Sequence, residues 1–284
     1  MRPRHLAFAL CSVAVLFGCD AVVTPSESDF DVSPDGGGSV GPGGSGIPTE
    51  GGSGPDGTPG GSTSPDPSLC ELGPAQIRLL TAEEYDNTVL DLFGTNQRFG
   101  QGFPGQPVVG GFDNNAGALG ASERMVEEVA AAAEAISSEA VTDLDRLLPC
   151  EASDGVSCAE QFIADYGERI FRRPLSGDEL ARYRTTFDAG NEFNFATGIE
   201  FVLNAMLQSP SFLYRTEVLQ SDGRFDPYTL ASRLSYFLWN STPDTELLAA
   251  ARSGALNDDA EVRRQAERMI SDEKGRRTVR NFTR

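Results

Sequence analysis

From Gln76 onward, apolar positions recur at helical spacing, and no stretch alternates long enough to form a strand. Tyr85, Val89, Leu92 and Phe93 make one apolar stripe, opened by a capping box of Thr81 with Glu84 and closed by Gly94. Residues 100–120 are Gly-rich and read as a long loop, after which Ser122 opens an Ala-rich helix carrying Met125, Val129 and Ile136. Ser157 with Glu160, and Ser176 with Glu179, predict two more boxed helix starts, the first leading to Phe162, Tyr166 and Ile170 and the second to Tyr183 and Phe187. A further helix holds Ile199, Val202, Leu203 and Met206 and closes at Pro210. Asp226-Pro227 and Thr242-Pro243 each pair a capping residue with a proline at the first helical position. A last full helix is expected from about Asn257. Asp272-Glu273-Lys274-Gly275 reads as a turn, and residues 276–284 start another helical segment without a cap. The body is therefore predicted to be all-α, a multi-helix fold of roughly eight helices. It divides into 70–150, 151–222 and 223–284, the last of them expected to be incomplete.

The segment before this body has a different pattern. Arg2 and Arg4 precede an apolar run over 6–18 that ends at Leu16-Phe17-Gly18-Cys19. Its length is too short to span a bilayer as a helix, and a basic start followed by a short apolar run is the form of an export signal. A cysteine after a small residue at that point resembles a bacterial lipobox, in which Cys19 becomes the lipidated mature N-terminus. An ordinary secretory cleavage nearby is the alternative reading. Residues 20–69 are dominated by Gly, Pro, Ser and Asp. They hold too little apolar surface to offset chain entropy and are expected to be a disordered tether, about 50 residues long with an end-to-end distance of roughly 40 Å.

Composition prunes the functional classes. Setting aside Arg2, Arg4 and the eight acids of 20–69, the 23 basic and 42 acidic residues fall to 21 and 34, a net of −13 for the body. Such a surface repels phosphate backbones, so no nucleic-acid partner is expected. The single histidine, His5, lies in the signal, which leaves the mature chain without histidine-based triads, zinc ligands or axial haem ligation. Of five cysteines, Cys11 leaves with the signal and Cys19 would carry lipid. Cys150 and Cys158 are the natural disulfide pair in an oxidising compartment, with Cys70 left over.

Few residues suggest chemistry. Asp113-Asn114-Asn115 places oxygens at i and i+2 but lacks the rest of a calcium loop, and an Asx-rich turn accounts for it more simply. Carboxylate pairs such as Glu83 with Asp86 or Asp178 with Glu179 are better explained by helix capping and the first-turn dipole than by hydrolysis. Arg172-Arg173-Pro174 reads as a basic helix end with a stop, anion binding being the alternative. Arg233 in the apolar helix is expected to snorkel or make one ion pair, and Tyr228, Tyr236, Phe237 and Trp239 are expected in the core. No catalytic, cofactor-binding or metal-binding residue is assigned.

Five strings then carry a resemblance: Arg78-Leu79-Leu80-Thr81-Ala82-Glu83-Glu84-Tyr85-Asp86-Asn87-Thr88-Val89 with Asp91-Leu92-Phe93-Gly94, Phe112-Asp113-Asn114-Asn115-Ala116, Phe171-Arg172-Arg173-Pro174-Leu175, Gln208-Ser209-Pro210-Ser211-Phe212-Leu213-Tyr214-Arg215, and Leu230-Ala231-Ser232-Arg233-Leu234-Ser235-Tyr236-Phe237-Leu238-Trp239. Together they resemble a family of exported proteins of unknown function, common in planctomycetes and myxobacteria and often linked to cytochrome c domains. The resemblance implies a helical scaffold tied to c-type electron transfer. It also implies that haem c belongs to a C-terminal Cys-x-x-Cys-His part absent here, making this chain a truncated member. The expected address is the cell envelope, with the membrane engaged through the lipid on Cys19 and an envelope protein or polysaccharide as possible partner. Alternative readings are a surface carbohydrate- or protein-binding module and a carboxylate-only hydrolase.

Overall fold

The computed structural model describes residues 77–105 and 120–282. Cys19, the 20–69 segment, Cys70 and the Asp113 loop lie outside the described residues. Eleven α-helices occur among the described residues, more than the roughly eight expected. The surplus comes partly from two single-turn helices that apolar periodicity cannot register. The all-α expectation holds; among the described residues extended pairing is confined to a two-residue antiparallel pair, β1 (Arg78–Leu79) with β2 (Tyr214–Arg215), and an isolated bridge of Leu219 with Phe225.

The chain runs α1 (Ala82–Phe93), α2 (Glu123–Ala140), α3 (Leu144–Leu147), α4 (Val156–Phe171), α5 (Gly177–Asn191), α6 (Phe195–Leu207) and α7 (Pro210–Leu213). It continues through α8 (Pro227–Trp239), α9 (Thr245–Arg252), α10 (Asp259–Ser271) and α11 (Glu273–Phe282). The capping boxes at Thr81 and Ser176 form as read, and Asp226 caps α8. Three readings are corrected. The start of α4 uses Gly155 with no side-chain cap, because Ser157 already lies inside the helix. Asp244, not Thr242, caps α9 by accepting from the Leu247 N–H. The expected turn at 272–275 is the first turn of α11, where Asp272 accepts from the Lys274 N–H.

Two hydrophobic clusters organise the helices. The larger draws Tyr85, Val89, Ile136, Phe162, Ile163, Phe187, Leu203 and Phe212 from α1, α2 and α4–α7. Helices α5 and α6 form an antiparallel hairpin whose backbones nearly touch: a Cβ on Gly190 would lie 2.6 Å from the Thr197 carbonyl oxygen. The smaller cluster gathers Ala231, Trp239, Leu247, Leu256 and Met269 from α8–α10 and the turn between α9 and α10. Trp239 donates its indole N–H to the Met269 carbonyl at 2.9 Å, beneath the Arg268 guanidinium and the Lys274 ammonium. Tyr236 and Trp239 are core as expected, but Phe237 is 79% exposed.

Helix α1 joins the clusters. Its apolar stripe faces the larger one, while Glu84, Asn87, Thr88 and Asp91 form a second stripe at i, i+3, i+4 and i+7 that meets polar partners elsewhere in the chain. Asn87 donates to the Asn240 carbonyl at 3.1 Å, Thr88 pairs with the Tyr236 hydroxyl at 2.9 Å, and Asp91 accepts from Ser241 at 2.6 Å and Lys274 at 2.8 Å. Such partners offset the cost of burying the polar face of α1.

Candidate functional site

Where α4 ends, the chain turns through Arg172 in the left-handed region (φ 59°, ψ 23°), and Pro174 prevents further helix. That turn sends the Arg172 side chain inward, leaving the residue 4% exposed. One terminal nitrogen donates to the carbonyls of Ser211, Phe212 and Tyr214 at 2.8, 2.9 and 3.0 Å, and the other to the Tyr236 hydroxyl at 3.4 Å. Arg172 thus satisfies the carbonyls at the end of α7, which four residues of helix cannot satisfy alone. Burial pulls its pKa below the ordinary arginine value.

Arg215 lies beside it on β2. Its guanidinium donates to Glu84 at 3.0 Å and stacks 4.4 Å above the Tyr236 ring, leaving the buried Nε without a partner. The other Glu84 oxygen accepts from the Thr81 N–H at 2.8 Å, closing the capping box. Glu84 thus pairs with Arg215, while Arg172 rests on carbonyls and the Tyr236 hydroxyl.

Arg173 points the opposite way from Arg172. It grips Glu179 through two bonds of 2.8 Å and reaches Ser211 Oγ at 3.2 Å. This bidentate grip, with the Ser176 N–H, holds the Glu179 carboxyl down at about 2. Tyr228, at the start of α8, donates to Glu168, and burial followed by that carboxylate pushes its hydroxyl up to about 12. Glu168 is balanced in turn by Arg252.

These groups surround an open cleft of about 700 Å³, lined by Phe171 to Pro174, the start of α7, 214–216 on and after β2, and the first turns of α8. The lining holds one carboxylate, Asp226, which is committed to the N–H groups of Tyr228 at 2.8 Å and Thr229 at 3.1 Å. Hydrolysis by two carboxylates needs a second acid across the cleft, which this lining does not supply. Among the described residues, no cluster of three or more His, Cys, Asp or Glu side chains is placed to hold a metal ion. Asp86, of the carboxylate pairs read from sequence, is spent on the Gly100 N–H at 2.7 Å and on Arg98 at 2.9 Å.

Cys150 and Cys158 form a disulfide, fastening the uncapped start of α4 to the segment before it. Arg233 makes the single ion pair expected of it, with Glu217. Reading Arg172 as a basic helix end misses its role, since it faces carbonyls of α7 and β2 and not those of its own helix. Arg215 and Tyr236 carry no local signal at all, their partners being more than 130 residues away in the case of Glu84 and Thr88. The one available cue was the buried polar stripe of α1.

Three family models match in succession: PSD3, protein of unknown function (DUF1587), over 78–142; PSD5, protein of unknown function (DUF1595), over 158–217; and PSD4, protein of unknown function (DUF1592), over 225–284. Three segments of the chain are thus similar to uncharacterised families, and the five strings quoted above fall inside the matched segments. No curated protein and no solved structure matches it. The cleft lies between the second and third matched segments, with Arg172, Arg173 and Arg215 from one and Asp226, Tyr228 and Ser232 from the other.

Proposed function

We propose that the chain is an exported, lipid-anchored protein of the cell envelope. Its helical body serves as a binding scaffold linked to c-type cytochrome electron transfer, with haem held outside these 284 residues. The observation that carries the export reading is the Cys150–Cys158 disulfide, because such bonds persist in oxidising compartments and are rare in the reducing cytosol. Cys19 at the end of the short apolar run supports the lipid anchor, and no helix among the described residues is long and apolar enough to cross a membrane. The scaffold role is favoured over catalysis because the arginines of the cleft are committed to ion pairs and carbonyls, and its one acid to a helix start. The haem link rests on the resemblance of the five strings.

Expression of the full chain in a diderm bacterium fed a labelled fatty acid tests the anchor. Label is expected on the wild type and absent from Cys19→Ala; an unlabelled wild-type protein released into the medium would overturn it. For the haem link, cross-linking in the native cell followed by haem-peroxidase staining should give a haem-positive adduct. An adduct set devoid of haem would remove that part and leave the second reading, a surface carbohydrate- or protein-binding module, which the cleft itself favours.

A further inference from the structure

We propose that α11 and the end of α10 form a docking face for a bilayer of anionic phospholipid. The inference rests on the lipid-anchored reading, which brings a bilayer within reach, and it adds which side of the body turns toward that bilayer. Residues 20–69 are expected from composition to be a tether, and a tether leaves that choice to the surface of the body. Charge is the first argument. Helix α11 carries Lys274, Arg276, Arg277 and Arg280 against one acid, Glu273, in a body of net −13. On these two helices Arg264, Arg268 and Lys274 are paired with Glu261, Asp244 and Asp91. Among the described residues, no carboxylate pairs with Arg263, Arg276 or Arg277. Cations without an internal partner are open to lipid phosphates, and each one held near an anionic leaflet strengthens binding.

The second argument is what lies among those cations. The inner side of α11 is fixed by Lys274, which reaches Asp91 at 2.8 Å, and by buried Gly275, where a Cβ would lie 2.3 Å from the Met269 carbonyl oxygen. Arg276, Val279 and Arg280, at i, i+3 and i+4, are exposed together on another side. Val279 is 57% exposed, and Ile270, beside the junction of α10 with α11, is 51% exposed. Arg263 and Ile270, seven residues apart, share a face of α10. Apolar side chains set among arginines suit the boundary between headgroups and acyl chains. Of the nearby acids, Asp272 accepts from the Lys274 N–H, while Glu267 and Glu273 are outnumbered by Arg263, Arg276, Arg277 and Arg280. The remaining negative charge lies farther off and is screened beyond about 8 Å at physiological salt. It repels the bilayer from the other faces, which orients the body.

Amide exchange on the full chain, with vesicles of phosphatidylcholine alone or mixed with phosphatidylglycerol, tests the proposal. A lipid on Cys19 and the apolar run over 6–18 engage both kinds of vesicle, so the readout is taken locally at α11. Exchange there is expected to slow by at least about fivefold with phosphatidylglycerol and to stay unchanged with phosphatidylcholine alone. An Arg276→Gln, Arg277→Gln double variant is expected to lose the slowing. Arg276→Lys, Arg277→Lys should keep it, because the bilayer reads charge and not the guanidinium fork. Exchange that ignores phosphatidylglycerol, or slowing that survives in the glutamine variant, would overturn the proposal. Slowing by polyglutamate but not by the vesicles would assign the face to an acidic protein and overturn it as well. A chain without lipid that still shows the slowing removes the anchor and keeps the docking face; a lipidated chain without the slowing does the reverse. Unfolding midpoints recorded alongside show that each variant is folded.

Discussion

Arg215 and Glu84 stand 131 residues apart in the chain and meet at 3.0 Å, their side chains 11% and 5% exposed. The pair anchors β2 to the first turn of α1 and marks one end of the polar stripe along which α1 meets α8 and α11. Removing one partner of a buried pair leaves the other uncompensated, at a cost of about 3 kcal/mol. Glu84→Gln keeps a side chain able to complete the capping box, so its loss isolates the ion pair. Urea unfolding should show the unfolding free energy lowered by that amount, read as a lower midpoint at unchanged slope. Asp188→Asn, which breaks the exposed pair with Arg184, should leave the midpoint almost unchanged.

Arg172 is a structural cation whose one terminal nitrogen meets three carbonyls while the other reaches the Tyr236 hydroxyl. A lysine carries the same charge on a point-like ammonium and cannot hold that geometry while also reaching the Tyr236 hydroxyl. Arg172→Lys is expected to lose about 2–4 kcal/mol, larger than a surface Arg-to-Lys change by far. Thermal unfolding of Arg172→Lys beside Arg224→Lys, whose own pair with Asp222 is exposed, measures the contrast. Equal midpoints for the two variants would show that the carbonyl grip contributes little.

The disulfide closes a short loop, so the chain-entropy contribution is about 2–3 kcal/mol. It acts where the start of α4 has no side-chain cap, so its loss should loosen that end first. A Cys150→Ser, Cys158→Ala double variant is expected to unfold at lower denaturant. Amide exchange should quicken in the first turn of α4 before it does at Ile170. Uniform quickening across α4 would place the effect elsewhere.

Periodicity and capping chemistry were enough to read the helices whose starts carry Thr81, Ser176 and Asp226, because those signals are local. They failed at Thr242, where Asp244 two positions on takes the cap, and at Ser157, where the helix begins earlier, at Gly155, with no side-chain cap. The disulfide followed from compartment and spacing. The cleft was illegible for a different reason. Arg172 and Arg215 lie in strings quoted for family resemblance, yet what they touch is set by how α7, β2 and α8 are brought together. Only the fold supplies those distances. Phe237 shows the reverse error, since hydrophobicity marks it for the core while the turn of α8 faces it outward.

Glu179 gives the chain an acid-sensitive joint between α4 and α5. Its carboxylate accepts from Ser176 N–H at 2.8 Å and from both terminal nitrogens of Arg173, which holds its pKa at about 2 against an ordinary value of 4.5. A depressed carboxylate stabilises the fold fully above its unfolded-state titration and loses that contribution as pH falls through the folded value. The relevant window is therefore pH 4.5 down to 2. Solvent screening around the half-exposed Arg173 leaves about 1 kcal/mol at neutral pH. Glu179→Gln preserves the capping box but not the charge, so the stability gap between it and wild type should be constant from about pH 7 to pH 5, then shrink toward zero by about pH 2. Denaturant unfolding across that range reads the gap directly. A gap that stays constant at low pH, or widens, would show that Arg173 and Glu179 do not stabilise the joint through their charges.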